Sequence, residues 1–238
     1  MKIIVLTINQ YKEKDAIITA ISETETLTFL ARGILNPKSK NAALNNPLTI
    51  ADVELMEGNF KHPILKSSKV LSSPLRIDMD TYYLGAILFL NEMMVNLFPE
   101  EDQYKMFAHL EMAIDNLKNK KNWLMTVLLF MNEAIKVGGF QLQANQCVLC
   151  GKRQNIVSFS FREGGFICRD CYQDDMERDL SKAQMYLLRE LINSKDQHLF
   201  DKECDEEDLK VIFTHFIDYM QEVFGYSFKN LRLLISEK

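Results

Sequence analysis

The sequence lacks any apolar run long enough to cross a bilayer. Its most apolar stretch, Tyr82 to Phe98, is interrupted by Asn91, Glu92 and Asn96 and falls short of the roughly 20 residues that a spanning helix needs. It reads as a buried helix, and no membrane partner is expected. The beginning, Met1-Lys2 followed at once by Ile3-Ile4-Val5-Leu6, lacks the basic region, apolar core and small-residue cleavage site of a secretory signal, which predicts a cytoplasmic protein. An excess of positive charge is lacking too: 28 Lys and Arg stand against 33 Asp and Glu, a formal net charge of −5. That excludes a protein coated in basic surface, so any nucleic-acid site must be a local patch. Neither G-x-x-x-x-G-K-[S/T] nor G-x-G-x-x-G occurs, so motor ATPases and dinucleotide enzymes lack their phosphate cradle. His62, His109, His198 and His215 are scattered, with no Ser/His/Asp or H-E-x-x-H pattern around them. Internal repeats and low-complexity linkers are absent as well.

What is present is the composition of an ordinary globular protein, 47% hydrophobic and 26% charged over 238 residues, a length comfortable for two domains. Up to about Asp80 the signals are those of strands: Ile3 to Ile8, Ala16 to Ile21, Thr26 to Ala31, Leu48 to Leu55 and Lys69 to Leu71. Gly33, Pro37, Asn45-Asn46-Pro47, Gly58-Asn59 and Pro63 separate them. Five short strands at this spacing predict a small barrel, of the OB type or, on pattern alone, an SH3-like one. After Asp80 the apolar period becomes helical. Leu84, Ile87, Leu88, Leu90 and Met94 open it, and Trp123 to Ile135 repeat it up to Gly138-Gly139. The strongest stripe runs Leu209, Ile212, Phe213, Phe216, Ile217, Met220, Val223 and Phe224, with Asp205 as N-cap and Gly225 at the end. The expected class is α+β: an OB-fold domain over residues 1–80, then an α-helical domain over 81–238 carrying an insert at 145–175.

The insert holds the chemistry. Cys147-Val148-Leu149-Cys150 and Cys168-Arg169-Asp170-Cys171 are two C-x-x-C pairs with seventeen residues between them, within the spacing of tetrahedral zinc sites. Each pair can sit on a tight turn that aims two thiolates at one half-site. The segment between, Val157 to Phe161 and Gly164 to Ile167, reads as a hairpin that brings the turns together. Reduced thiols of a cytoplasmic protein favour metal ligation over disulfides, and neither pair follows a strand of a βαβ unit as a redox pair would. Four cysteine ligands leave no open position for water, so one structural zinc ion is expected and not a catalytic one. Lys152, Arg153 and Arg169 would offset the charge of a four-thiolate centre, and Cys204 is left as an ordinary thiol.

A second stretch, Ala31-Arg32-Gly33-Ile34-Leu35-Asn36-Pro37-Lys38-Ser39-Lys40, leaves a predicted strand and carries Arg32, Lys38 and Lys40 with no acidic residue among them. It suits backbone phosphates on a barrel face, and equally a solvated loop.

These pieces together resemble the RecO family of recombination mediators. Tyr11 to Ser22 is similar to that family's first hairpin, Ala31-Arg32-Gly33 to Pro37-Lys38-Ser39 to its A-R-G…P-K-S loop, and Val137-Gly-Gly-Phe140 with Cys147-Val-Leu-Cys150-Gly151 to its helix end and zinc entry. The likeness covers essentially the whole chain. It implies a non-enzymatic bacterial DNA-repair protein that binds single- and double-stranded DNA, anneals complementary strands and, with RecR, promotes loading of RecA onto DNA coated by single-strand binding protein. It also implies association with the nucleoid during repair. Ile34, Leu35 and Asn36 stand where the family commonly carries further arginines, so the partner is expected to supply much of the positive surface. The readings from other classes are a zinc-ribbon adaptor that binds protein without touching DNA, and a metalloenzyme, which four-cysteine ligation disfavours.

Overall fold

The computed structural model describes residues 1–56, 58, 61–75, 79–173, 180–194, 199–200 and 204–235. His198, and residues 174–175 at the end of the expected insert, lie outside these. The chain divides into two compact units, Met1–Trp123 with Phe228–Lys238, and Leu124–Ser227.

In the first unit, strands β1 (Lys2–Gln10), β2 (Ala16–Ile21), β3 (Thr26–Ala31), β4 (Ile50–Met56) and β5 (Ile64–Ser72) close a barrel in the order β1-β2-β3-β5-β4. Neighbours are antiparallel, except that β3 runs parallel to β5. This crossed order is the Greek key of an OB fold, which settles the choice against an SH3-like barrel. Period-2 alternation explains which side chains seal it. Ala16, Ile18 and Ala20 point inward with Phe29, Ala31, Val53 and Leu65, while Ile17, Thr19 and Leu30 face out. Ile34 and Leu44, from the β3–β4 connection, join the same core. Ile34 thus serves packing. β5 begins at Ile64, earlier than the expected Lys69, because Lys66, Ser67 and Ser68 mask the alternation. β4 begins after Leu48, a turn residue held at φ +58° whose amide donates to the Val5 carbonyl at 2.7 Å.

The same unit contains α1 (Thr81–Leu97) and α2 (Phe107–Lys118). Asp80 caps α1 by accepting from the Tyr83 amide at 3.0 Å. Glu92, the acid in the apolar stretch, is buried at 7% exposure. Its carboxylate accepts from the backbone amides of Lys229 and Asn230 at 2.6 and 2.8 Å, so burial is compensated by hydrogen bonds. Phe228 packs its ring 4.9 Å from that of Phe89, and Leu233 and Leu234 fill the space that a side chain at Gly85 would need.

The second unit is built on α3 (Trp123–Val137), α4 (Lys182–Asn193) and α5 (Glu206–Phe224), with β6 (Ile156–Ser160) and β7 (Gly165–Cys168) forming an antiparallel hairpin. Asp205 caps α5 through the Glu207 amide at 2.8 Å, and Gly225 ends it at φ +64°, as the sequence predicts. Helix α4 has too short an apolar stripe to be expected from the residue pattern, although Ser181 and Gln184 form a capping box at its start. The buried Asn132 of α3 donates to the Leu191 carbonyl of α4 at 3.0 Å. Among the described residues, no helix is long and apolar enough to cross a membrane.

Candidate functional site

The hairpin of the second unit positions the cysteines. In the first turn the Cys147 amide donates to the Lys152 carbonyl at 2.7 Å and the Gly151 amide to the Cys147 carbonyl at 2.8 Å. Gly151, at φ +75°, completes that turn with backbone that L-residues rarely adopt. In the second turn the amides of Cys171 and Tyr172 both donate to the Cys168 carbonyl, at 3.1 and 3.0 Å. The turns meet because the Val148 amide donates to the Phe166 carbonyl at 2.9 Å. Gly165 lies where a Cβ would overlap the Gln143 backbone, so a larger residue there would push the entering strand off the hairpin. Phe161 anchors the hairpin on α5, its ring stacked on His215 at 5.4 Å and edge-on to Phe216 at 6.0 Å.

The outcome is that the sulfurs of Cys147, Cys150, Cys168 and Cys171 all lie within 4.8 Å of one another, and those of Cys150 and Cys168 are 3.6 Å apart. A tetrahedron of thiolates at about 2.3 Å from a zinc ion has edges of about 3.8 Å, so the donor set fits a four-coordinate metal ion. Cys204 is not part of the cluster. Lys152 is engaged with Asp170, Nζ to Oδ2 at 2.6 Å, so it offsets less thiolate charge than its position in the sequence implies; Arg153 and Arg169 are exposed.

The four thiols are unequal. Burial raises Cys147, but backbone hydrogen bonds from Cys168, Leu149 and Cys150 prevail and bring it down to about 6. Hydrogen bonding to Cys150, burial and the other cluster thiols push Cys171 up to about 12. Cys150 is also raised: a backbone bond from Lys152 lowers it, and burial with the thiols of Cys168 and Cys147 outweighs that. Cys147 is therefore the thiol that gives up its proton most readily, and Cys150 and Cys171 hold theirs more tightly than free thiols. Metal uptake must displace at least the protons of Cys150 and Cys171, so affinity should rise with pH and fall as acid competes for the sulfurs. Calorimetric titration of the metal-free chain in buffers of different ionisation enthalpy checks this, and uptake without proton release would contradict it.

On the barrel, Arg32, Lys38 and Lys40 are all exposed. Their loop is ordered by its own bonds. The Gly33 amide donates to Asp15 Oδ1 at 2.8 Å, that of Leu35 to the Lys14 carbonyl at 3.0 Å, and that of Lys38 to Asn36 Oδ1 at 3.0 Å. The outer face beside it carries a groove of about 390 Å³ lined by Tyr11, Ile17, Leu30, Arg32, Lys61, His62 and Ile64. Of the basic loop only Arg32 reaches the groove; Lys38 and Lys40 do not line it. Tyr11, Lys61 and His62 are not singled out by sequence pattern, because only closure of the barrel brings the β1–β2 and β4–β5 connections beside Arg32.

Comparison with known proteins agrees with this architecture. The family model described as Recombination protein O N terminal matches residues 1–73, and that described as Recombination protein O C terminal matches residues 78–232. The DNA repair protein RecO of Bacillus subtilis is 26% identical over 237 residues, covering 97% of this chain and 91% of that protein. Its namesake in Oceanobacillus iheyensis is 23% identical over 234 residues, with 97% and 90% covered. The one in Mesoplasma florum is 28% identical over 192 residues, with 78% and 72% covered. With both halves matched along nearly its whole length, the chain belongs to the RecO family of DNA repair proteins.

Proposed function

We propose that this protein is a non-enzymatic recombination mediator of the bacterial cytoplasm that joins the nucleoid during repair. It binds single- and double-stranded DNA, anneals complementary strands and acts with RecR to load RecA onto DNA coated by single-strand binding protein. In this reading the barrel, residues 1–80, is the DNA-binding part. The remainder, 81–238, is a helical scaffold whose four cysteines hold one structural zinc ion. The observation that carries the reading is the barrel face itself: Arg32, Lys38 and Lys40 are exposed on an ordered loop, and Lys61 lines the same groove as Arg32. Clustered cations beside a groove suit a phosphate backbone on a chain whose net charge is −5.

Such contacts are electrostatic and indifferent to base sequence. If Arg32, Lys38 and Lys40 each neutralise one phosphate of a single strand, they contribute roughly −0.7 each, about −2 together, to the slope of log affinity against log salt. The triple alanine variant should lose that much slope and bind more weakly at low salt. Its thermal midpoint should barely move, since exposed loop charges affect stability by less than ~0.5 kcal/mol. Titration of a fluorescent oligonucleotide at several salt concentrations, with and without RecR, tests this. Equal slopes for parent and variant would place the DNA site elsewhere. A parent that binds no DNA in either setting would favour the adaptor reading, with which the negative net charge also agrees.

A further inference from the structure

We propose that the four-cysteine cluster is an oxidation site: peroxide attacks at Cys150 first, and a disulfide from Cys150 to Cys168 then frees the metal ion while the two turns stay joined. The inference rests on the reading that the cluster holds a metal ion, and goes beyond it by giving the four ligands unequal chemistry.

Access is the first ground. Each turn contributes one sheltered cysteine and one outward one: Cys147 and Cys168 are each 1% exposed, whereas Cys150 is exposed and Cys171 half-buried. The hairpin explains the division. Cys168 ends β7 in register with Ile156, and Val148, next to Cys147, is bonded to the Phe166 carbonyl, so these two cysteines sit against the strands. Cys150 follows Leu149, which is 49% exposed, on the outward side of its turn. A metal-bound cysteine is a thiolate whatever its acidity as a free thiol, so access and not proton loss decides which sulfur meets an oxidant. Hydrogen bonding acts in the same direction. The Cys147 sulfur accepts from the amides of Cys168, Leu149 and Cys150, and that of Cys150 from Lys152; each such bond draws charge off the sulfur and makes it a poorer nucleophile.

Proximity is the second ground, for the sulfurs of Cys150 and Cys168 are 3.6 Å apart. Attack of the Cys150 thiolate on hydrogen peroxide forms an S–O bond and breaks the O–O bond, giving the sulfenic acid and a hydroxide ion. The Cys168 thiolate then attacks the oxidised sulfur, so that the S–S bond forms and a second hydroxide leaves. The two thiolates together lose two electrons, peroxide gains them, and both hydroxides become water with protons from solvent. Cys147 and Cys171 alone cannot complete a tetrahedral site, and the ion is lost. Because Cys150 and Cys168 belong to different turns, the new bond spans the contact that the metal held. A disulfide within one turn, Cys147 to Cys150, would leave the turns unlinked. The change is therefore reversible: a small thiol opens the disulfide by exchange, and the ligands are still in place to take up metal again.

The test uses the full chain loaded with zinc and carrying Cys204→Ser, which leaves the four cluster cysteines as its only thiols. Hydrogen peroxide should release about one zinc ion per chain to a chromogenic chelator, while the thiols titrated after denaturation fall from four to about two. Peptide mapping should find Cys150 joined to Cys168. Dimedone, which traps sulfenic acids, should mark Cys150 ahead of the other three when present during early oxidation. Dithiothreitol followed by zinc should restore the metal content. Zinc retained under peroxide, dimedone spread evenly over the four cysteines, a disulfide confined to one turn, or a metal content that reduction does not restore would each overturn the proposal while leaving the metal site intact. A chain that takes up no zinc before oxidation would overturn the metal reading and the proposal with it.

Discussion

Cys150→Ser should reduce the metal content from about one ion per chain to near zero and unfold the hairpin that carries the cluster. Beyond the turn bonds and the packing of Phe161 on α5, that hairpin is held by short pairing between β6 and β7, from Ile156↔Cys168 to Ser160↔Gly165, and a two-stranded hairpin is marginal in water by itself. Metal binding in small zinc modules carries an apparent ~10–16 kcal/mol at neutral pH, far more than any single packing contact here. Serine is a poor ligand for a soft thiolate site, so the loss should be close to complete. The expected signature is local: amides of residues 156–168 lose hydrogen-exchange protection, while those of β1 to β5 keep theirs, because the barrel has its own core of Ile3, Val5, Ile18 and Phe29. Elemental analysis with exchange mass spectrometry reads both. Full zinc content in the variant, or equal loss of protection in the barrel, would contradict the assignment.

Glu92→Ala should destabilise the first unit by about 2 kcal/mol, since it leaves two part-buried amides without their charged acceptor. Those amides, of Lys229 and Asn230, begin the short helical turn that brings Leu233 and Leu234 against Gly85. Glu92→Gln keeps one carbonyl oxygen as acceptor and presents a donor to the other amide, so it should cost about half as much. Denaturant unfolding followed at the barrel and by tryptophan fluorescence of Trp123 separates the two. A Glu92→Ala midpoint indistinguishable from the parent's would mean that Phe228 and the following leucines hold the C-terminal segment without help from the carboxylate.

Residue pattern by itself determined the elements that depend on local rules. Alternation placed β1 to β3 within two residues of their ends, Asp205 and Gly225 bounded α5, and the doubled C-x-x-C identified all four cysteines that the hairpin gathers. These features were legible because each is settled by the period of a strand or helix, by a cap, or by the reach of a turn, and such constraints act over a few residues. Elements whose signal is diluted were not: β5 starts under a polar Lys66-Ser67-Ser68, and α4 has only a short apolar stripe behind its capping box. The rest was decided only in three dimensions. The parallel pairing of β3 with β5 distinguished the OB topology, the return of residues 229–230 gave the buried Glu92 its partners, and barrel closure carried Tyr11, Arg32, Lys61 and His62 to one groove. Their sequence separations range up to 51 residues for Tyr11 and His62 within that groove and 138 for Glu92 and Asn230. No local period or propensity spans such distances; only the packing of one apolar core brings those groups together.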